Sequence, residues 1–191
     1  MTAVPVQERM TAEEFLELPE REGARFRELV DGEVIVNEPT AVHQLVEGNL
    51  YHAFRLWLGA SPDRGQVFIP IDVGMDEHNV FAPDLSWYAA ENALDVNSPA
   101  PYRRPDLVAE VRSPSTWRYD VGAKKATYER LGLSELWLVD TPAHEVLIFR
   151  RSGPGTPRFD VALELGVGER LESPLLPGFG LAVDDLFDLR G

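Results

Sequence analysis

An α/β chain (α+β mixed), with a mixed sheet flanked by helices, is the fold class this 191-residue sequence predicts. Three observations carry the expectation. Between Ala41 and Leu58 the apolar residues Val42, Leu45, Val46, Leu50, Phe54, Trp57 and Leu58 recur at three- and four-residue spacing. Short apolar runs bounded by proline or glycine follow, as in Leu107 to Val111 between Pro105 and Pro114. Through the middle of the chain these patterns read helix, strand, strand, strand, helix, strand. Because a sheet with apolar faces needs a second layer to cover it, one sheet covered by helices is the economical arrangement.

Taken in order, the elements have local causes. Thr11 followed by Glu14 has the spacing of a capping box, which predicts a short helix from Thr11 to Leu18, ended by Pro19. Arg25 to Val30 and Glu33 to Asn37 read as strands of a hairpin around Asp31-Gly32, a pair that tolerates the positive φ of a tight turn. The amphipathic stretch from Ala41 to Leu58 predicts the longest helix. Strands are predicted over Gln66 to Met75, Val80 to Tyr88 and Leu107 to Val111. A helix over Val121 to Leu131 follows, with Gly132 just past its end, and then a strand over Glu135 to Val139. From His144 onward the pattern is β again: His144 to Phe149, a Gly-Pro-Gly-Thr-Pro turn, Phe159 to Leu165 and a short closing segment.

With 44% hydrophobic residues the chain can bury a core as one domain, residues 1 to 191. Its lack of cysteine excludes zinc ribbons, thiol nucleophiles and disulfide scaffolds. The first ten residues hold no apolar signal core and no apolar run is long enough for a membrane span, so a soluble cytoplasmic protein without a membrane partner is expected. A net charge of −14 argues against nonspecific coating of nucleic acid. The segment from Pro101 to Arg130 runs the other way, with seven basic against four acidic side chains. That reversal fits either a solvated surface or an electropositive patch beside an acidic site.

The residues that could carry chemistry lie in the middle. Asp84 follows Pro83, and a proline inside a strand pattern marks an edge, bulge or terminus. Glu110 interrupts the apolar Leu107-Val108-Ala109-Glu110-Val111, where a carboxylate must find a donor, a proton or a cation. Asp106 alternates onto the face of Glu110 but lies ~13 Å along the strand, too far to share one ion. Asp84, on a neighbouring strand ~5 Å away, is the better partner. Asp120, Lys124 and Tyr128 share a helix face at four-residue spacing, and the short Arg112-Ser113-Pro114-Ser115-Thr116 connection lets that helix fold back on Glu110. Two carboxylates repel one another unless a divalent cation joins them, and oxygen ligands favour Mg2+ or Mn2+. A neighbouring lysine could orient or deprotonate water, or stabilise charge on a phosphate. His52, His78 and His144 lack metal-ligand spacing and read as structural, and no nucleotide-binding glycine loop or serine elbow occurs.

At these positions the sequence resembles a known family. Phe81-Ala82-Pro83-Asp84-Leu85, Pro105 through Glu110 to Ser115, Asp120 through Lys124 to Tyr128, and Leu131 through Asp140 are similar to the Uma-two family of restriction endonuclease-like proteins, within the PD-(D/E)xK nuclease superfamily. The similarity extends to Arg27-Glu28, Asp31-Gly32 and His43 near the start and to Leu176-Pro177-Gly178-Phe179 near the end. It implies a restriction endonuclease-like αβββαβ core, catalytic residues Asp84, Glu110 and Lys124, and a metal held by Asp84, Glu110 and the backbone carbonyl of Val111. Glu28, His43 and Tyr128 are implied as accessory residues. The superfamily's usual lysine position is occupied here by Arg112, and the family pattern moves the lysine onto the next helix, at Lys124 rather than Lys125. The resulting expectation is an Mg2+- or Mn2+-dependent endonuclease acting on nucleic acid, most plainly DNA. The alternatives are a silent nuclease-like binding or assembly module, or an enzyme acting on small phosphate esters. A homodimer through Leu175 to Phe179 and Leu186-Phe187 is a further expectation.

Overall fold

A computed structural model describes residues 9–19 and 26–190. The first helix, α1 (Ala12–Leu16), begins where Thr11 accepts from the Glu14 amide and Glu14 reaches back to the Thr11 amide, so the capping box forms as the spacing predicts. Arg25, the expected start of the first strand, lies outside the described residues. β1 (Phe26–Val30) and β2 (Glu33–Asn37) pair antiparallel around Asp31 and Gly32, whose φ angles of 50° and 77° both lie in the left-handed region. α2 (Ala41–Leu58) is capped by Thr40, which accepts from the His43 amide.

The next two predicted strands are each broken in two. The first becomes β3 (Gln66–Phe68) and β4 (Val73–Asp76), and the second becomes β5 (Asn79–Phe81) and β6 (Leu85–Tyr88). Pro70 and Pro83 fall in the breaks; a residue without an amide hydrogen cannot donate to the ladder, so pairing stops and the chain turns. As a result the pieces belong to different sheets. β4 and β5 join β1 and β2 in a four-stranded sheet. β3 and β6 join β7 (Leu107–Val111), β8 (Glu135–Asp140), β9 (Glu145–Arg150) and β10 (Val161–Leu165) in a six-stranded sheet ordered β10-β9-β8-β7-β6-β3.

β7 and β8 are parallel, whereas the other neighbours in that sheet are antiparallel. The crossover between them is a helical run starting earlier than its apolar pattern predicts: α3 (Trp117–Tyr119), a π-helical turn (Asp120–Lys124) and α4 (Lys125–Arg130). Gly132, at φ 90°, lies just past its end. A small ladder of β11 (Arg170–Leu171) and β12 (Leu181–Ala182), with the short α5 (Val183–Leu186), closes the chain.

The large sheet has a core on each face. On one, Leu107, Ala109, Trp137 and Ile148 pack with Val46, Leu50 and Phe54 of α2 and with Leu176, Phe179, Leu186 and Phe187 of the C-terminal segment. On the other, Val108, Leu136 and Leu138 pack with Phe81, Tyr128 and Leu133. The C-terminal residues expected to offer a dimer contact are therefore core: Leu176 and Leu186 are fully buried and Phe179 and Phe187 nearly so. They cover apolar sheet surface that would otherwise face water, and burying each aromatic ring contributes on the order of 2 kcal/mol. No helix among the described residues is long and apolar enough to cross a membrane.

Candidate active site

The parallel register of β7 with β8 and the antiparallel register of β6 with β7 decide where the acidic residues meet. Leu85 pairs with Ala109, so one step further the register brings Asp84 level with Glu110. The break at Pro83 leaves Asp84 at the start of β6 with its carboxylate free of the ladder; there Oδ2 accepts from the Val111 amide at 2.7 Å. Asp84 is 5% exposed and Glu110 2%. Asp106, by contrast, spends its carboxylate on the Ala89 amide and the Asn92 side chain, away from this cluster.

The crossover helix supplies the other half. Through the π turn, Asp120 and Lys124 both point inward; π turns of this kind concentrate at functional positions. The Lys124 ammonium lies 2.8 Å from Glu28, 2.8 Å from Glu110 and 3.3 Å from Asp120. Three carboxylates thus surround it, and it donates a hydrogen bond to Glu28. One turn on, Tyr128 donates to Glu110 at 2.6 Å. Glu28, on β1, also accepts from the Ala82 amide at 2.8 Å, tying the small sheet to the segment that carries Asp84. Lys125 leaves this cluster and lies over the Phe149 ring. Arg112, at the position where the sequence resemblance led to the expectation of a displaced lysine, turns to Asp140, whose two oxygens its Nη1 meets at 2.9 Å each, and stacks over Trp117.

A second group adjoins the first. His43 Nε2 lies 3.2 Å from Asp84 Oδ2, and its Nδ1 lies 3.7 Å from Glu47 Oε2, one turn further along α2. Ligand atoms of His43, Glu47 and Asp84 all fall within 4.8 Å of one another. Glu110 faces Lys124 and Tyr128 instead. The sequence reading missed Glu47, and it placed Asp120 on the face of Lys124 without counting it in the site. The available signal was the four-residue spacing of His43 and Glu47 on a capped helix.

Burial sets the electrostatics. Loss of water pushes Glu110 up to about 7, Lys124 opposing the shift. Burial likewise raises Glu28 and Asp120 to about 6, again against Lys124. Glu47 rises to about 7 through burial and the nearby Asp84 charge. Burial alone would lower Lys124, but the three carboxylates outweigh it and hold the ammonium well above the ordinary lysine value. For His43 burial pulls down while the hydrogen bond and charge of Asp84 and the charge of Glu47 push up, and the net direction is up. Among the described residues, the cluster is an acidic centre with one fixed cation, Lys124.

The profile of the Uma2 family, described as "Putative restriction endonuclease", matches residues 12–184. The fold is similar to that of a crystal structure described as a "putative nuclease belonging to DUF820" from Anabaena variabilis, with a TM-score of 0.75 and 19% identity over 93% of this chain and 97% of that one. No curated protein matches the chain.

Proposed function

Because the chain belongs to the Uma2 family, we propose that it is a metal-dependent nuclease hydrolysing phosphodiester bonds, with Asp84, Glu110 and Lys124 at its centre. The observation that carries the reading is the buried Lys124–Glu110 pair at 2.8 Å, with Asp84 on the neighbouring β6 held by the amide of Val111, the residue after Glu110.

The charge balance supports a cation. Glu28, Glu110 and Asp120 surround one ammonium, and Asp84 and Glu47 adjoin them. An anionic phosphodiester is repelled by such an excess of carboxylate until positive charge enters. The donor set fits a divalent ion: carboxylate oxygens of Asp84 and Glu47 converge with an imidazole whose buried Nδ1 has no hydrogen-bond partner. Asp84 and Glu47 with His43 would hold Mg2+ or Mn2+. The ion would supply Lewis acidity toward a phosphoryl oxygen and acidify a bound water.

The protein's own groups then have separable tasks. Asp84 is oriented by the Val111 amide before any ligand arrives. Lys124, held above the usual lysine range, stays protonated at neutral pH and so serves as a fixed positive charge rather than as the base that its position alone allowed. Glu28, Asp120 and Tyr128 fix Lys124 and Glu110 in place. Arg118 and Lys125, lying over Tyr119 and Phe149, offer cations along the crossover for a nucleic-acid backbone, in keeping with the basic balance of that segment.

The test is cleavage of single- and double-stranded DNA and RNA by the purified protein with Mg2+ or Mn2+, beside Asp84→Ala and Glu110→Gln. Cleavage lost in both variants is expected. Failure to cut any of the four substrates, or equal cutting by Asp84→Ala, sinks the reading. A second reading, a nuclease-like binding or assembly module, draws support from the burial of Asp84, Glu110 and Lys124 and from the overall −14 charge. It predicts no cleavage and no metal-binding heat that Asp84→Asn removes.

A further inference from the structure

We propose that His43 is a metal ligand through an imidazole nitrogen, with Glu47 and Asp84, so that this centre binds imidazole-favouring first-row ions such as Fe2+ or Ni2+ more tightly than Mg2+. The inference rests on the metal-dependent reading above and narrows it.

The geometry of α2 carries the argument. His43 and Glu47 stand four residues apart on one helix face, and the Thr40 cap holds the first turn that presents them. His43 is 1% exposed, with its ring between the carboxylates of Asp84 and Glu47. Its Nδ1 is buried without a hydrogen-bond partner. An orphaned imidazole nitrogen in such a place calls for a proton or a cation to face it. Ligand atoms around an ion with bonds of ~2.1–2.2 Å lie at most about 4.4 Å apart. The three ligand atoms already lie within 4.8 Å of one another, so small side-chain movements bring them onto one ion.

The neighbouring carboxylates do not compete. Glu28, Glu110 and Asp120 already share the Lys124 ammonium, so the demand for a mobile cation falls on the side of α2. Ligand chemistry then sets selectivity. Magnesium keeps to oxygen ligands and sheds water reluctantly, whereas imidazole suits Fe, Ni, Cu and Zn, and Mn2+, the weakest binder of that first-row series, shares the carboxylate preference of Mg2+. A site of two carboxylates and one imidazole therefore favours the softer ions.

Calorimetric titration of chelator-stripped full-length protein with Ni2+ and with Mg2+ reads the selectivity, and electron spin-echo modulation from a nitrogen directly bound to Mn2+ as a probe reads the ligand. Ni2+ should bind at least about tenfold more tightly than Mg2+, with nitrogen modulation present in the Mn2+-loaded protein. His43→Gln should lose that modulation and at least about tenfold in Ni2+ affinity, while Glu47→Gln should lose affinity and keep the modulation. Glu47 is partly exposed, so its variant keeps the test sound if His43→Gln does not fold, as judged by circular dichroism. Equal affinity for the two ions, or wild-type protein without nitrogen modulation, overturns the proposal. If Asp84→Asn abolishes metal binding and activity while His43→Gln and Glu47→Gln leave binding unchanged, the ligand assignment falls and the nuclease reading stands.

Discussion

Replacing Lys124 by methionine removes the cation that, among the described residues, Glu28, Glu110 and Asp120 share, and puts an apolar chain of similar length in its place. The ammonium is 2.8, 2.8 and 3.3 Å from those carboxylates, and the lysine is 1% exposed. Breaking a buried ion pair by removing one partner costs roughly 3–5 kcal/mol, since the remaining charge is left without compensation. In chelator at pH 8, Lys124→Met should therefore lose about 4 kcal/mol. With a urea slope of roughly 2 kcal/mol per molar, that lowers the unfolding midpoint by about 2 M. The loss must depend on pH, and its sign follows from the shifts. Burial raises Glu110 from 4.5 to about 7, Glu28 to about 6 and Asp120 from 3.8 to about 6, with Lys124 opposing each rise. Groups whose folded value is raised stabilise below their unfolded value, and that stability is lost as pH rises through the folded one. Without the ammonium the folded values rise further, so protons take its place on acidification. Urea denaturation at pH 5 should recover about half of the deficit seen at pH 8. A loss below about 1 kcal/mol at pH 8, or the same loss at both pH values, would show that the ammonium does not hold these carboxylates together.

The wild-type protein in chelator should itself lose several kcal/mol of stability between pH 4.5 and about 7, where Glu28, Glu110, Glu47 and Asp120 ionise in the folded state; thermal unfolding across that range checks it, and stability rising with pH contradicts it. Tyr128→Phe removes a buried 2.6 Å hydrogen bond to Glu110 and should cost about 1–3 kcal/mol in urea unfolding, far more than a surface substitution. Gly32→Ala should destabilise by more than 1 kcal/mol, because φ is +77° there and the new Cβ would meet the Cβ of Arg9 at 2.5 Å. Gly122→Ala meets nothing within 4 Å and should raise the melting temperature by a few degrees through helix propensity alone; a fall would mean that the π turn needs glycine.

Much of the local structure was legible from spacing. The capping box at Thr11 and Glu14, the Asp31-Gly32 turn and the span of α2 formed where their patterns put them. Glu110 stood out because a carboxylate inside an apolar strand is hard to place otherwise, whereas Asp84 and Lys124 gained weight from their position relative to it and from the family resemblance. Less legible was the splitting of two predicted strands between two sheets. Pro70 and Pro83 mark the breaks, but nothing local says which sheet each fragment joins. Glu47 was missed because on α2 alone it is an ordinary acidic residue near a helix start.

The broad order of helices and strands, the absence of any thiol chemistry and the candidacy of Asp84 and Glu110 came from the sequence itself, since helix and strand periods, proline and glycine act over a few residues. Only the tertiary structure decided that His43 and Glu47 reach Asp84 and that three carboxylates share Lys124. It also decided that the C-terminal apolar residues close the core instead of facing a partner. Distance and water exclusion between residues far apart in the chain set these outcomes. Both arise when the layers pack together, and neither is encoded in any single stretch of sequence.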